Sequence, residues 1–208
     1  MDTENSQAEL NLLSSLKSKD KDTRLSSAIA LCATGKIEFI APVVGIMNNI
    51  TWDEAEELSL SMCLFGEVAI PFMLPLLQNG KKSTVACIIR TLGRIKGEKA
   101  ANVLVQELIS LPTKSEPTEA LVMMDTEGIP YLLPLIDHNK ADVRAMAAFA
   151  LGKIGDRNSL TVLQRLAQTD KSEKVQEIAS RAVTWLLGQE KCNIDLRNTF
   201  GEVVLGPH

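Results

Sequence analysis

The sequence predicts an all-α protein, a right-handed α-solenoid of five to six helical pairs with no sheet in its core. Three observations predict it. The stretch Asp142–Thr169, DVRAMAAFALGKIGDRNSLTVLQRLAQT, sets Val143, Ala147, Ala148 and Leu151 at helical spacing on one face. Gly155 and Asp156 punctuate that pattern, and a second short helix follows with Leu160, Leu163 and Ala167 inward. Two short amphipathic helices joined by a glycine turn cannot bury both apolar faces alone, so they need stacked neighbours of the same kind.

Those neighbours are written into the chain as an internal repeat. A shift of 59 residues sets Leu92, Gly93 and Ile95 on Leu151, Gly152 and Ile154, with Leu104 on Leu163. A shift of 120 sets Arg24, Ala28, Leu31, Gly35 and Ile40 on Arg144, Ala148, Leu151, Gly155 and Leu160. Shifts of 90 and 31 bring Ile70, Met73 and Leu77, and then Ile129, Leu132 and Ile136, onto the second-helix positions. Successive offsets of 30, 31, 28 and 31 define a unit of about 30 residues.

Residues 1–6 are polar and acidic and are expected to be disordered. Gln7–Lys17 reads as a helix with Leu10, Leu13 and Leu16 inward, the second helix of an incomplete first unit that caps the stack. Repeat one then runs Asp22–Asn49, with Leu25, Ala28, Leu31 and Cys32 on its first helix and Ile40, Val43 and Met47 on its second. Pro42 is tolerated near the start of that second helix, where first-turn amides need no intrahelical partner. Repeat two opens on a capping box, Thr51–Glu54, and its first helix, Trp52–Leu64, carries Asp53, Glu54, Glu56 and Glu57. Its second helix, Ile70–Gln78, contains Pro75 in mid-course, which predicts a kink or an early break. Repeat three, Lys82–Ser110, has the most basic first helix, with Arg90, Arg94 and Lys96. Repeat four is shortened: Ser115–Met124, then Ile129–Asp137 with Pro130 and Pro134. Repeat five is the stretch described first. Repeat six keeps only Glu173–Leu187, which leaves an apolar edge around Ile178, Val183 and Leu186. The repeat domain therefore spans 7–188, and residues 189–208 form a tail that covers the open end or lets a second copy of the chain cover it.

The motif VRxxAAxALGxIGD at Val143–Asp156 resembles the HEAT-like repeats first grouped with phycobilisome lyases, and TRLSSAIALCATG and IIRTLGRI are weaker echoes. The resemblance covers about residues 7–188 and implies the fold. For function it implies only a range, since such repeats occur in lyase-associated, scaffold and regulatory proteins. No residue matches a catalytic one of the tetrapyrrole lyases, so none is carried over.

Composition narrows the range. Apolar residues make up 45% of 208 and charged residues 23%, with mean hydropathy +0.06, so the chain folds around a core. Net charge is −4 and pI about 5.3, which argues against a nucleic-acid binder. The acidic N-terminus is not a signal peptide, and apolar runs such as Val68–Leu77 are too short to span a bilayer. Cys32, Cys63, Cys87 and Cys192 lack metal-ligand spacing; the first three lie in apolar helical runs and read as buried thiols of a reducing, cytoplasmic compartment. His138 and His208 have no ligand or nucleophile partner at useful spacing, so no metal, cofactor or catalytic residue is assigned. The acids of Trp52–Leu64 read as a solvated face that favours the helix dipole; Asp53 and Glu57 sharing a cation is the alternative.

The second helices carry the functional expectation. The Val162 position is taken by Pro42, Phe72, Val103 and Tyr131, and the Arg165 position by Gly45, Pro75, Gln106 and Pro134. These helices are apolar beyond one stripe. Either the extra face packs on the adjacent unit, or it forms a concave groove for a peptide or helix of a partner protein. On the second reading the chain is a non-catalytic adaptor or scaffold, with Phe72, Tyr131, Pro75, Pro134, Gln106 and Arg165 lining the groove. A lyase or lyase chaperone for a bound cofactor, and a nucleic-acid-binding helical repeat, are the alternatives.

Overall fold

The computed structural model describes residues 2–111 and 115–188, and among them there is helix and turn but no strand. The tail 189–208, with Cys192 and His208, lies outside the described residues. The chain groups into two compact units, divided after Ile95.

The first unit contains α1 (Asp2–Ser15), α2 (Lys21–Ala33), α3 (Ile40–Ile46), α4 (Trp52–Met62), α5 (Ile70–Asn79) and α6 (Lys82–Ile95). The first helices of successive repeats pack in a row, α2 on α4 and α4 on α6, and the second helices α3 and α5 pack on each other. Leu31, Ile40, Met47, Leu58, Met62, Met73, Ile88 and Leu92 are fully buried, which is the core that a two-row stack of helical pairs provides. The capping box forms as read: the Glu54 amide donates to Thr51 Oγ1 at 3.4 Å, and Thr51 N donates to Glu54 Oε2 at 2.7 Å. Glu54 is thereby buried and does not belong to the solvated face expected of it.

α1 starts at Asp2. Three other expectations are corrected here. Leu10 is 58% exposed while Leu16 is buried, so the inward face of α1 is narrower than its leucines suggest. α4 ends at Met62, leaving Leu64 exposed. Pro75 does not end α5 early, since α5 continues to Asn79. By length and hydropathy alone, Trp52–Asn79 would pass for a bilayer span. It is not one helix: Gly66, with φ 64° and ψ −158°, breaks it into pieces of 11 and 10 residues on either side of a 3₁₀ segment, shorter than the roughly 20 residues a span needs.

The second unit contains α7 (Gly97–Ser110), α8 (Glu116–Met123), α9 (Ile129–Leu132), α10 (Ala141–Ile154), α11 (Leu160–Thr169) and α12 (Glu173–Leu186). Here too first helices form a row, α8 on α10 and α10 on α12, with α7 against α9. After Leu132 the chain tightens into a 3₁₀ helix, Leu133–Asp137, where Pro134 has no N–H to give the α ladder. α10 is buried almost all round, from Val143 through Gly152. Gly152 permits this, since a Cβ there would lie 2.6 Å from Ala182 Cβ and 2.9 Å from Ala182 Cα. Phe149 and Trp185 meet edge to face across α10 and α12, centroids 5.9 Å apart. The apolar edge expected on α12 is not open: Ile178 and Leu186 are buried and Val183 is half-buried, with α12 packed on α10 and α11.

Candidate functional site

The six residues expected to line a groove fall on different units. Phe72 and Pro75 lie on α5 of the first unit, three residues apart and both exposed, with the Phe72 ring 40% accessible; Ile70 and Met73 are the buried side of the same helix. Leu74, 39% exposed, extends the apolar surface of α5. Tyr131, Pro134, Gln106 and Arg165 belong to the second unit. Tyr131 is half-buried, so it does not repeat the exposure of Phe72, while Pro134 and Gln106 are exposed. Arg165 is exposed and donates to Asp137 at 2.9 Å.

Each unit also holds a cleft between consecutive second helices, and the two clefts stand at equivalent positions 120 residues apart. In the second unit the cleft, about 670 Å³, is lined by Ile136, Asp137, Arg144, Arg165, Leu166 and Asp170 among others. Arg144 organises it. Its Nη1 donates to the carbonyls of His138 and Asn139 at 2.8 and 3.1 Å, so it closes the end of the preceding helix. Its Nε and Nη2 donate to Asp170 Oδ2 and Oδ1, both at 2.7 Å, a bidentate fork. The pair is nearly buried, and the guanidinium holds the Asp170 carboxyl below the ordinary carboxylate range while Arg144 itself is raised.

In the first unit the cleft, about 610 Å³, is lined by Leu13, Leu16, Lys17, Arg24, Pro42 and Ile46 among others. Arg24 repeats half of the arrangement: Nη1 donates to the carbonyls of Ser18 and Lys19 at 2.9 and 3.0 Å, the same two positions upstream. The other half is missing. Ile50 stands where Asp170 stands in the later repeat, Lys17 stands for Asp137, and Gly45 stands for Arg165. The nearby acid, Asp20, is engaged as the cap of α2 by Thr23 N and Oγ1 at 2.8 and 2.6 Å, which lowers its carboxyl. The repeat sets Arg24 on Arg144 and Gly45 on Arg165, but neither correspondence signals the missing carboxylate.

The charged helices satisfy each other. Glu56 of α4 bridges Arg90 and Arg94 of α6, and Arg94 also donates to Ser59 Oγ at 2.8 Å. The acidic and basic helices singled out in the sequence are thus partners across one packing contact. Cys32 and Cys87 are buried, and burial pushes both thiols up to about 12, so they are inert at neutral pH. Cys63 is half-buried instead, donating to the Leu60 carbonyl. Among the described residues no group of three or more His, Cys, Asp or Glu is placed to hold a metal ion. His138 Nδ1 accepts from Lys140 N at 3.2 Å, a turn contact.

Comparison with known proteins adds to the fold. No curated protein matches the chain. Among solved structures, the crystal structure of an engineered protein aligns with it at 18% identity and a TM-score of 0.40, covering 87% of this chain and 97% of that one. The family model described as HEAT repeats matches residues 118–184, so a HEAT-type helical repeat is present in the second unit, centred on the helices where the repeat motif is best preserved.

Proposed function

We propose that this protein is a non-catalytic adaptor that holds a partner protein against its second helices, in the cytoplasm. On this reading the helical pairs wind as a right-handed solenoid of about 30-residue units, of the subtype grouped with the phycobilisome lyases, and the second helices line its concave side. One observation carries the proposal. α5 buries Ile70 and Met73 yet leaves Phe72 40% and Leu74 39% exposed, so it presents an aromatic and an aliphatic side chain beyond what packing within its unit uses. Pro75 next to Phe72 stiffens that surface, and a stiff apolar surface loses little entropy when a peptide docks. The test is a pull-down from the native cell with the wild-type chain and with Phe72→Ala, circular dichroism checking that both fold alike. Loss of about 1–3 kcal/mol of partner affinity is expected. Recovery of the same partners at the same yield by the variant sinks the proposal.

A further inference from the structure

The Arg24 cleft has the form of a half-built ion pair, and the later repeat displays its missing half. In the second unit a carboxylate, Asp170, occupies the two guanidinium N–H groups of Arg144 that point away from the helix end. In the first unit the same Arg24 anchors the same two carbonyls, and its charge acts on Asp20 only through space; its Nε and Nη2 have no hydrogen-bond partner among the described residues. The position that would supply the acid is Ile50, buried and apolar. Both acids of the later cleft are lost in the first unit, while Gly45 for Arg165 and Asp20 for Lys140 change the charge the other way. Lys17 replaces Asp137, Ile50 replaces Asp170, and no acidic side chain among the described residues lines the cleft. Gly45 replaces Arg165, and a Cβ at Gly45 would meet nothing within 4 Å, so the cleft is uncovered at that position.

We propose that this cleft receives a carboxylate from a partner protein, an aspartate or glutamate side chain flanked by an apolar one. The carboxylate takes the place that Asp170 takes on Arg144, forked between Nε and Nη2 of Arg24, with Lys17 adding a second positive charge. The apolar neighbour rests on Leu13, Leu16, Pro42 and Ile46, which form the walls. The inference rests on the adaptor reading only in making the occupant a protein segment.

The probes are a short acetylated and amidated peptide with one aspartate between leucines, and its asparagine twin. Each is titrated into the full chain, with the Arg24 Nε–H resonance followed by NMR and affinity by fluorescence anisotropy. The aspartate peptide is expected to shift that resonance saturably and to bind roughly tenfold or more tightly than the twin. Arg24→Gln should lose that difference. Ile50→Asp, which restores the carboxylate of the later repeat, should block the peptide; since Ile50 is buried, Lys17→Asp gives a surface variant that should weaken it as well. Equal binding of the two peptides, no shift at Arg24, or undiminished binding to Arg24→Gln each overturns the proposal. Phe72→Ala separates it from the adaptor reading. If that variant loses the cellular partner while the peptides fail to discriminate at Arg24, the adaptor reading stands and the carboxylate site falls; the reverse result does the opposite.

Discussion

Two clefts of the molecule share a plan and differ in who completes it. Around Arg144 the chain supplies everything: two carbonyls for one guanidinium nitrogen and the Asp170 carboxylate for the other two. Around Arg24 it supplies the carbonyls only, and the acid position holds Ile50. In a repeat protein each unit is built by the same local rules, so a departure at one unit stands out against its sister. The difference teaches that the arginine has two separable tasks. Closing the preceding helix end is structural and present in both units; pairing with a carboxylate is internal in one and left open in the other.

The largest expected effect breaks the complete cleft. Asp170→Asn keeps the shape and the acceptor for Ser172 N, which Asp170 Oδ1 now serves at 2.8 Å, but removes the charge opposite a nearly buried Arg144. Leaving one partner of such a pair uncompensated costs about 3 kcal/mol, the lower end of the range because Arg144 retains its two carbonyls. Arg24→Gln should cost about 1 kcal/mol or less, since only the carbonyl bonds are lost. Urea midpoints at fixed slope measure both. Similar costs for the two variants would mean the pair in the second unit contributes little.

The same residue predicts a pH dependence. The Asp170 carboxyl is lowered in the folded state, first by its hydrogen bonds from Arg144. It therefore stabilises the fold above the unfolded carboxylate value of about 3.9, and that stability is lost as pH falls through the lower folded value. The gap in stability between wild type and Asp170→Asn should be constant near neutrality and narrow below about pH 4. A gap that stays constant to pH 2 would remove the ion pair as its cause.

How much of this was legible in the sequence depends on range. The repeat, the order of helices and the capping box at Thr51 were legible because each is a local pattern: apolar spacing, a glycine stop, a Thr and Glu three apart. The buried thiols at Cys32 and Cys87 follow from the same spacing. What depended on neighbours was not legible. Nothing local distinguishes Pro75, which lies inside α5, from Pro134, which lies inside a 3₁₀ segment. The acids of α4 looked like a solvent face because the arginines that take Glu56 lie 34 and 38 residues on. Phe72 and Tyr131 hold the same repeat position, yet one is exposed and the other half-buried, so repeat position alone does not set exposure. The Arg24 cleft had a signal in the offset of 120, but the signal is a missing partner, which appears only when the Arg144 fork is seen.

Two glycines sharpen the contrast between tight and open regions. Gly152→Ala places a Cβ against Ala182, backbone included, where α10 meets α12, so the helices must separate; a loss of about 1–3 kcal/mol is expected. Gly45→Ala on α3 meets no atom within 4 Å and should gain about 0.5–1 kcal/mol through the less flexible unfolded chain. Thermal melts of the two variants should therefore move in opposite directions. A fall for Gly45→Ala would mean that the first cleft is more tightly filled than its lining implies.

The smallest effect is expected at Arg165, which occupies in the second unit the position left to Gly45 in the first. Its guanidinium reaches Asp137 at 2.9 Å, but the two side chains are 54% and 70% exposed. Water screens such a pair, and holding two long side chains in register costs entropy, so exposed pairs contribute about 0–1 kcal/mol. Arg165→Gln should shift the urea midpoint by an amount equivalent to about 0.5 kcal/mol or less, with the shift shrinking further in high salt. The result bears directly on the first unit. A small effect means that replacing this pair by Lys17 and Gly45 costs the fold almost nothing, so the repeat is free to keep that cleft open and positive. A loss above about 2 kcal/mol would make the pair part of the fold's support, and the open cleft at Arg24 would then be a weak point of the first unit rather than a place for a ligand.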